Sequence, residues 1–282
     1  MRIGFIGAGL MGHGMALNLL KGGHEVHVIA HRNRAPIEDL LAKGAFEAAT
    51  LHEIAHTSDC IVVCLSSSKI VEETIAALKP HLRNGQIVID AGTSEPESTR
   101  RLAGELAPLG VAYADAPLTG GPEQAASAEL GVLCGASPET FSSIQPLLSC
   151  FATTIRHMGP VGSGHAAKLI SNFLVTGMIA LVAQAFGTAR KADIDWRNFY
   201  DVMLNGSGNS GVLRKMVAPA LDGDFEGYRF SLANAAKDIG YFKSLASGLG
   251  LETSLADAVE NVFSAAMAKG NGKKNVSHLL EL

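Results

Sequence analysis

Apolar and polar positions along this chain follow one rhythm first and another afterwards. Through roughly the first 160 residues, short apolar runs alternate with longer stretches of helical period, the order that builds a parallel sheet covered by helices. Arg2–Ile6 is a short apolar run, followed by a helical pattern that reaches Lys21 and ends at Gly22-Gly23. His24–Ala30 alternates as a half-buried strand does. Asp59–Leu65 is nearly continuous in apolar residues, as a parallel strand buried on both faces should be, and Ser66-Ser67-Ser68 opens a helix to about Leu78. Gln86–Asp90 and Val111–Ala114 are further strands, with a helix Glu95–Ala107 between them that Ser94 and Glu97 cap as a box. Leu130–Cys134 and Thr153–His157 close the sheet around a helix that runs from a Ser137-Pro138 cap to about Leu148.

The second rhythm begins after Gly159. Leu169 to Ala189 is 21 residues without a charge, about the length that crosses a bilayer. Ser171, Asn172, Thr176 and Gln184 interrupt it, and a helix apolar on most faces is also what a large core or a subunit interface requires. The run reads as that interior helix rather than as a membrane span. Beyond Lys191 the pattern stays helical: Asp195 to about Leu204, Val212–Leu221, Leu232–Leu249, and Leu255–Ala268 capped by Ser254 with Asp257. The expected fold is therefore α/β: an N-terminal Rossmann-type, doubly wound, mostly parallel sheet over residues 1–162, then an all-α domain over 163–282. A long interdomain helix at about 164–191 joins them.

Composition narrows the class. The net charge of −4 in 282 residues suggests neither nucleic acid nor an anionic membrane as partner. Cys60, Cys64, Cys134 and Cys150 form no CxxC pair and read as reduced cytosolic thiols. The N-terminus enters a strand without the apolar run of a secretory signal, so a cytoplasmic location is expected. The sequence has no HExxH or GxSxG, and its ten histidines are scattered, so no metal site is expected.

The chemistry-bearing residues lie at strand ends. Gly7-Ala8-Gly9-Leu10-Met11-Gly12 stands between the first strand and the first helix, the context in which GxGxxG binds a dinucleotide. Gly7 permits the turn, Gly9 lets a pyrophosphate approach, and Gly12 lets helix and strand pack. The second strand ends in His31-Arg32-Asn33-Arg34, with no acid for a ribose 2′-hydroxyl. Arg32 suits a 2′-phosphate, which favours NADP(H) over NAD(H); the alternative is a solvated strand end. Leu65-Ser66 and Gly92-Thr93 sit at C-terminal strand ends, near the expected cofactor. Thr119-Gly120-Gly121 before Pro122 reads either as an anion site for a substrate carboxylate or as a plain turn. Lys168 opens the long helix, with Asn172 one turn on along the same face. It reads either as a snorkelling surface lysine or as a catalytic acid/base. Acid/base work near neutrality calls for a lysine well below the usual ~10.4, and burial pushes that way.

Four segments in this order resemble the β-hydroxyacid dehydrogenase family, which includes 3-hydroxyisobutyrate dehydrogenases and tartronate, glyoxylate and succinic semialdehyde reductases. They are GFIGAGLMGHGMALNLLKGG (Gly4–Gly23), DAPLTGG (Asp115–Gly121), GPVGSGHAAKLISN (Gly159–Asn172) and FSLANAAKDIGYF (Phe230–Phe242), and the resemblance spans essentially the whole chain. It implies an NADPH-dependent oxidoreductase with Lys168 as catalytic lysine and Asn172 positioning the substrate. Substrate binding would fall to Thr119, Gly120, Gly121, Phe230, Lys237 and Asp238. Lys237 is also implied at the cofactor, Thr93 beside the nicotinamide, and Arg32 in the NADPH-preferring branch. The implied substrate is a small carboxylate-bearing semialdehyde or hydroxyacid, and the implied assembly a homodimer or homotetramer through the helical half. The first half also resembles the NAD-binding domain of 6-phosphogluconate dehydrogenase, whose large helical domain this chain is too short to hold. Ser66, Gln124, Ala128, Glu129, Ser171 and Lys273-Lys274 depart from the family pattern, as does Thr119 where serine is usual. These departures bear on the substrate rather than on the reaction type. The competing readings are an imine reductase, which usually lacks the lysine, and a non-catalytic NADPH-binding scaffold.

Overall fold

The computed structural model describes residues 1–31 and 33–281. The chain divides into two compact units, Met1–Lys168 and Leu169–Leu282. The first alternates strand and helix through β1 (Arg2–Ile6), α1 (Gly12–Lys21), β2 (Glu25–Ile29), α2 (Ala35–Ala42), β3 (Phe46–Ala48), α3 (Leu51–Thr57), β4 (Cys60–Val63), α4 (Ser68–Leu78), β5 (Ile87–Asp90), α5 (Pro96–Leu106) and β6 (Ala112–Asp115). It continues with β7 (Leu118–Thr119), α6 (Pro122–Ser127), β8 (Leu130–Gly135), α7 (Pro138–Leu148) and β9 (Ala152–Gly159).

The strands lie in the order β3-β2-β1-β4-β5-β6, all parallel; β8 then runs antiparallel to β6 and β7, which share one of its edges, and parallel to β9 on the other. Alternate residues of the central strands feed opposite layers. Ile3 and Phe5 of β1 join Cys60 and Val62 of β4 in one core, while Ile6 joins Ile61 and Val63 in the other. Each large apolar side chain buried in this way contributes about 1.5–3 kcal/mol. Because both faces are covered, β4 is buried at all four positions, and its sequence shows no alternation. The strand order reverses between β1 and β4, and ligands bind outside the strand ends at such a switch point.

Two expectations need correction, and one stretch carries elements that the hydrophobic pattern does not reveal. The stretch 35–57, which shows no clear periodic pattern, holds α2, β3 and α3. These elements are short, and β3 buries only its last residue. Ser94 does not cap α5: its hydroxyl donates to Asp90 Oδ2 at 2.8 Å, and the helix starts at Pro96 after Glu95 with no side-chain cap. The last long helix begins one residue earlier than expected, after Thr253.

The long helix α8 (Ser163–Lys191) is continuous, and α9 (Trp196–Asn205), α10 (Gly211–Ala220), α11 (Leu232–Gly248) and α12 (Ser254–Ala268) follow it. In the second unit, Ile179, Ala183 and Phe186 of α8 form one stripe at helical spacing, packed with Met216, Ile239 and Phe263. By length and composition α8 could cross a membrane, but that stripe belongs to the helical core. A second apolar stripe is exposed: Ile170 at 54%, Leu174 at 65% and Leu181 at 69%.

Candidate functional site

The first turn follows directly from β1. Gly7 has φ +104°, and a Cβ there would run into the Cys64 carbonyl. A Cβ on Gly12 would meet the Gly7 carbonyl, so α1 begins flush against the turn. Gly9 is different: it is exposed, and nothing lies within 4 Å of where its Cβ would stand. No side chain caps α1; His13 N–H donates to the Gly9 carbonyl at 3.0 Å, and the positive end of the helix remains a place for an anion.

A cavity of about 550 Å³ opens over this turn. Its walls include Gly7, Ala8, Gly9, His31, Asn33, Leu65 and Ser66, with Ile29 and Ile37 as an apolar side. These residues fit a dinucleotide: open backbone at Gly9 for a pyrophosphate, an uncapped helix start, and an apolar wall for a base. Leu10 (71% exposed), Met11 and Gly12 are off that wall. Arg34 is committed elsewhere, donating to both Glu47 carboxylate oxygens at 3.0 and 3.1 Å and pairing with Glu38. Arg32 lies outside the described residues. Thr93 is half-buried just beyond β5, next to Gly92, whose N–H donates to Asp90 Oδ1 at 2.8 Å.

The root of α8 is held from the sheet. Asp90 and Asp115 end β5 and β6 in register with each other, and both are fully buried. Asp115 accepts from Gly162 N–H at 2.6 Å and from His165 N–H at 2.7 Å. Burial pushes the Asp115 carboxyl above the usual carboxylate range, and His165 and those N–H groups pull against it. The His165 ring is also buried, with Nδ1 2.7 Å from Thr99 Oγ1 and Nε2 3.8 Å from Asp90 Oδ2. Glycine at 164 is required for this approach, since a Cβ there would strike the Leu133 carbonyl. Lys168, half-buried, follows His165 by one turn. Sequence reasoning missed Asp115 and His165 as anchors; the signal was an acid at a strand's C-terminal end and glycines crowded before α8.

In the second unit Asn172 is buried and donates from Nδ2 to Asp238 Oδ2 at 2.6 Å. Lys237 Nζ stands 3.3 Å from Asp238 Oδ1 and 5.4 Å from the Tyr241 ring centroid. The 3.3 Å approach is an ion pair without hydrogen-bond geometry. Phe230 is half-buried against the helical core. The structure thus brings Asn172, Lys237 and Asp238 together.

Thr119 is in a strand, not a free loop: β7 pairs Thr119 with Gly131. A Cβ on Gly131 would collide with the Thr119 hydroxyl. Gly120 has φ +107°, a conformation for which glycine is needed. Gly121 N–H donates to Gln124 Oε1 at 2.9 Å, and the helix that follows is only six residues long. The anion-site expectation therefore has one backbone donor fewer than the sequence suggests.

Among the described residues no group of three or more His, Cys, Asp or Glu is arranged to hold a metal ion. Burial pushes the thiols of Cys60, Cys64 and Cys134 up to about 12, so they stay protonated at neutral pH.

Comparison with known proteins gives consistent results for both halves. The NAD binding domain of 6-phosphogluconate dehydrogenase matches residues 2–159, and the domain described as NAD-binding of NADP-dependent 3-hydroxyisobutyrate dehydrogenase matches residues 162–282. A 2-(hydroxymethyl)glutarate dehydrogenase of Eubacterium barkeri is 29% identical, covering 100% of this chain and 94% of that protein. A 3-hydroxyisobutyrate dehydrogenase of Pseudomonas aeruginosa is 30% identical, covering 93% of this chain and 91% of that protein. The crystal structure of a 3-hydroxyisobutyrate dehydrogenase from Salmonella typhimurium superimposes with a TM-score of 0.87 at 28% identity, covering 100% and 99% of the two chains.

Proposed function

The chain belongs to the β-hydroxyacid dehydrogenase family of NAD(P)-dependent oxidoreductases, and from that premise we propose that it transfers a hydride between NADP(H) and a small carboxylate-bearing semialdehyde or β-hydroxyacid. When bound, the nicotinamide supplies or accepts the hydride. In reduction Lys168 donates a proton from Nζ to the substrate's carbonyl oxygen, and its ammonium stabilises the oxyanion as charge develops. In oxidation it takes the proton back. Asn172, one turn along the same helix face, positions the substrate, with its own amide oriented by Asp238. Substrate-binding roles fall to Thr119, Gly120 and Gly121 in the first unit and to Phe230, Lys237 and Asp238 in the second.

The observation that carries this reading is the anchoring of α8. Two N–H groups of its root are held by Asp115, and Asn172 is fixed by a short bond to Asp238. A surface lysine needs no such support, whereas a proton donor does. The NADPH preference is supported by Ala30-His31-Arg32-Asn33-Arg34, which has no acid where NAD-binding folds use one. With Arg34 tied to Glu47, the 2′-phosphate falls to Arg32.

The test is consumption of NADPH and of NADH with glyoxylate and with succinic, tartronate and methylmalonate semialdehydes. Turnover with at least one acid, faster with NADPH, is expected. Lys168→Ala should lower kcat by roughly 10²–10⁴-fold while leaving the NADPH Kd nearly unchanged; near-normal turnover would sink the assignment.

The same reading makes the protein a cytosolic homodimer or homotetramer without membrane or nucleic-acid partners. The exposed stripe Ile170, Leu174 and Leu181 supports association through the helical unit. Light scattering should return at least twice the 29.4 kDa of one chain; a monomer at micromolar concentration would refute it.

A further inference from the structure

The turn Thr119–Gly121 has no cation near it in sequence. Between Asp115 and Gly135 the chain has no Lys or Arg and three acids, Asp115, Glu123 and Glu129. An acid held at this turn must be held by neutral donors from this segment. Gly121 N–H is already used, because it donates to Gln124 Oε1. That bond also fixes the orientation of the side-chain amide. Only the oxygen can accept from an N–H, so the amide's NH₂ group faces away from the backbone it caps. Among the described residues no protein group accepts from Gln124 Nε2. The side chain is folded over the turn: its Cβ and Cγ lie 3.2 and 3.5 Å from where a Gly120 Cβ would stand. The two donor hydrogens of this half-buried side chain are thus turned away from Gly121 N–H, on a side chain whose stem covers Gly120.

We propose that Gln124 is a specificity-determining residue: its Oε1 holds the turn, and its Nε2 hydrogens bind the substrate's carboxylate. This rests on the reading above that the turn receives the acid end of the substrate. The two functions of the amide are separable by chemistry. Glu and Gln serve equally at the third position of a capping box, so Gln124→Glu keeps the acceptor for Gly121 N–H. It replaces the donor with a second carboxylate oxygen, which repels an acid. Gln124→Ala removes both.

The experiment measures KM for the most active acid of the panel and for its methyl ester, with NADPH saturating. For Gln124→Glu, KM for the acid should rise about tenfold or more, since like charges brought together at a binding site repel. KM for the ester should change less than about threefold, as a neutral group meets no such repulsion. The effect should appear mainly in KM, with kcat and the melting temperature close to wild type. Gln124→Ala should raise KM for the acid about three- to tenfold, the loss of one or two hydrogen bonds. An unchanged acid KM in Gln124→Glu overturns the proposal. So does a lowered acid KM in Gln124→Ala, which would make the freed Gly121 N–H the true donor. A wild-type protein that turns over none of the acids overturns the functional reading itself.

Discussion

Two glycine turns follow strands of the same sheet, and similar sequence arguments make each an anion site. Their structures differ. At Gly7–Gly12 the backbone is tight where it meets the sheet and open at Gly9, where nothing lies within 4 Å of a Cβ position. The turn leads into a ten-residue helix with no side-chain cap. At Thr119–Gly121 the space is already filled: Gln124 covers Gly120 and accepts from Gly121 N–H, and the helix has six residues. On the proposed reading, the first turn offers backbone to its ligand, and the second offers a side chain. A glycine count cannot distinguish them, because the difference lies in what occupies the space over each glycine.

Glycine-to-alanine substitutions probe that difference position by position. The largest effect belongs to Gly7→Ala. A positive φ strains a non-glycine residue by roughly 1–3 kcal/mol, and the new methyl runs into the Cys64 carbonyl. Overpacking adds about 1–3 kcal/mol more. Chemical denaturation should show a loss of about 2–6 kcal/mol, together with loss of NADPH binding; wild-type stability would contradict the close approach. Gly9→Ala comes next and has the opposite character. Its methyl enters open space, so the denaturation midpoint should stay near wild type. On the proposed reading it stands where the pyrophosphate approaches, so the NADPH Kd should rise about tenfold, or 1.4 kcal/mol. Unchanged NADPH affinity in a folded Gly9→Ala protein would mean that the dinucleotide lies elsewhere.

What was legible in the sequence follows the same division. The β1–turn–α1 unit and the buried run of β4 were readable because their patterns record burial on both faces. The long α8 was readable from its length and lack of charge. The elements between Ala35 and Thr57 were not, since β3 has three residues and buries one. Ser94 fits a capping box three residues before Glu97, yet its hydroxyl serves Asp90, a partner that only the folded sheet brings near. Lys168, Asn172, Lys237 and Asp238 stand out as polar residues on apolar helices, and the Asn172–Asp238 bond joins residues 66 apart. Asp115 and His165 were missed as anchors of α8 because their partners are backbone N–H groups and buried side chains, which leave no spacing signal. Gln124 was visible only as a departure from a family pattern. Its part in closing the second turn depends on one hydrogen bond of its folded side chain.

The smallest expected effect sharpens the comparison most, because it is the same chemical change as at Gly9. Gly121 has φ −130°, which alanine adopts without strain. A Cβ there would meet only Gln124 Oε1, at 3.4 Å, an ordinary contact. Alanine also narrows the unfolded ensemble, which stabilises a compatible site by about 0.4–1 kcal/mol. Gly121→Ala should therefore keep the cap from Gln124, leave the NADPH Kd unchanged, and shift the denaturation free energy by less than about 1 kcal/mol, toward greater stability. One methyl group added at each turn would then weaken NADPH at Gly9 without touching the fold, and slightly stabilise the fold at Gly121 without touching NADPH. If Gly121→Ala instead weakened NADPH as Gly9→Ala does, both turns would be presenting bare backbone to one ligand. The contrast between an open turn and one closed by Gln124 would then be wrong.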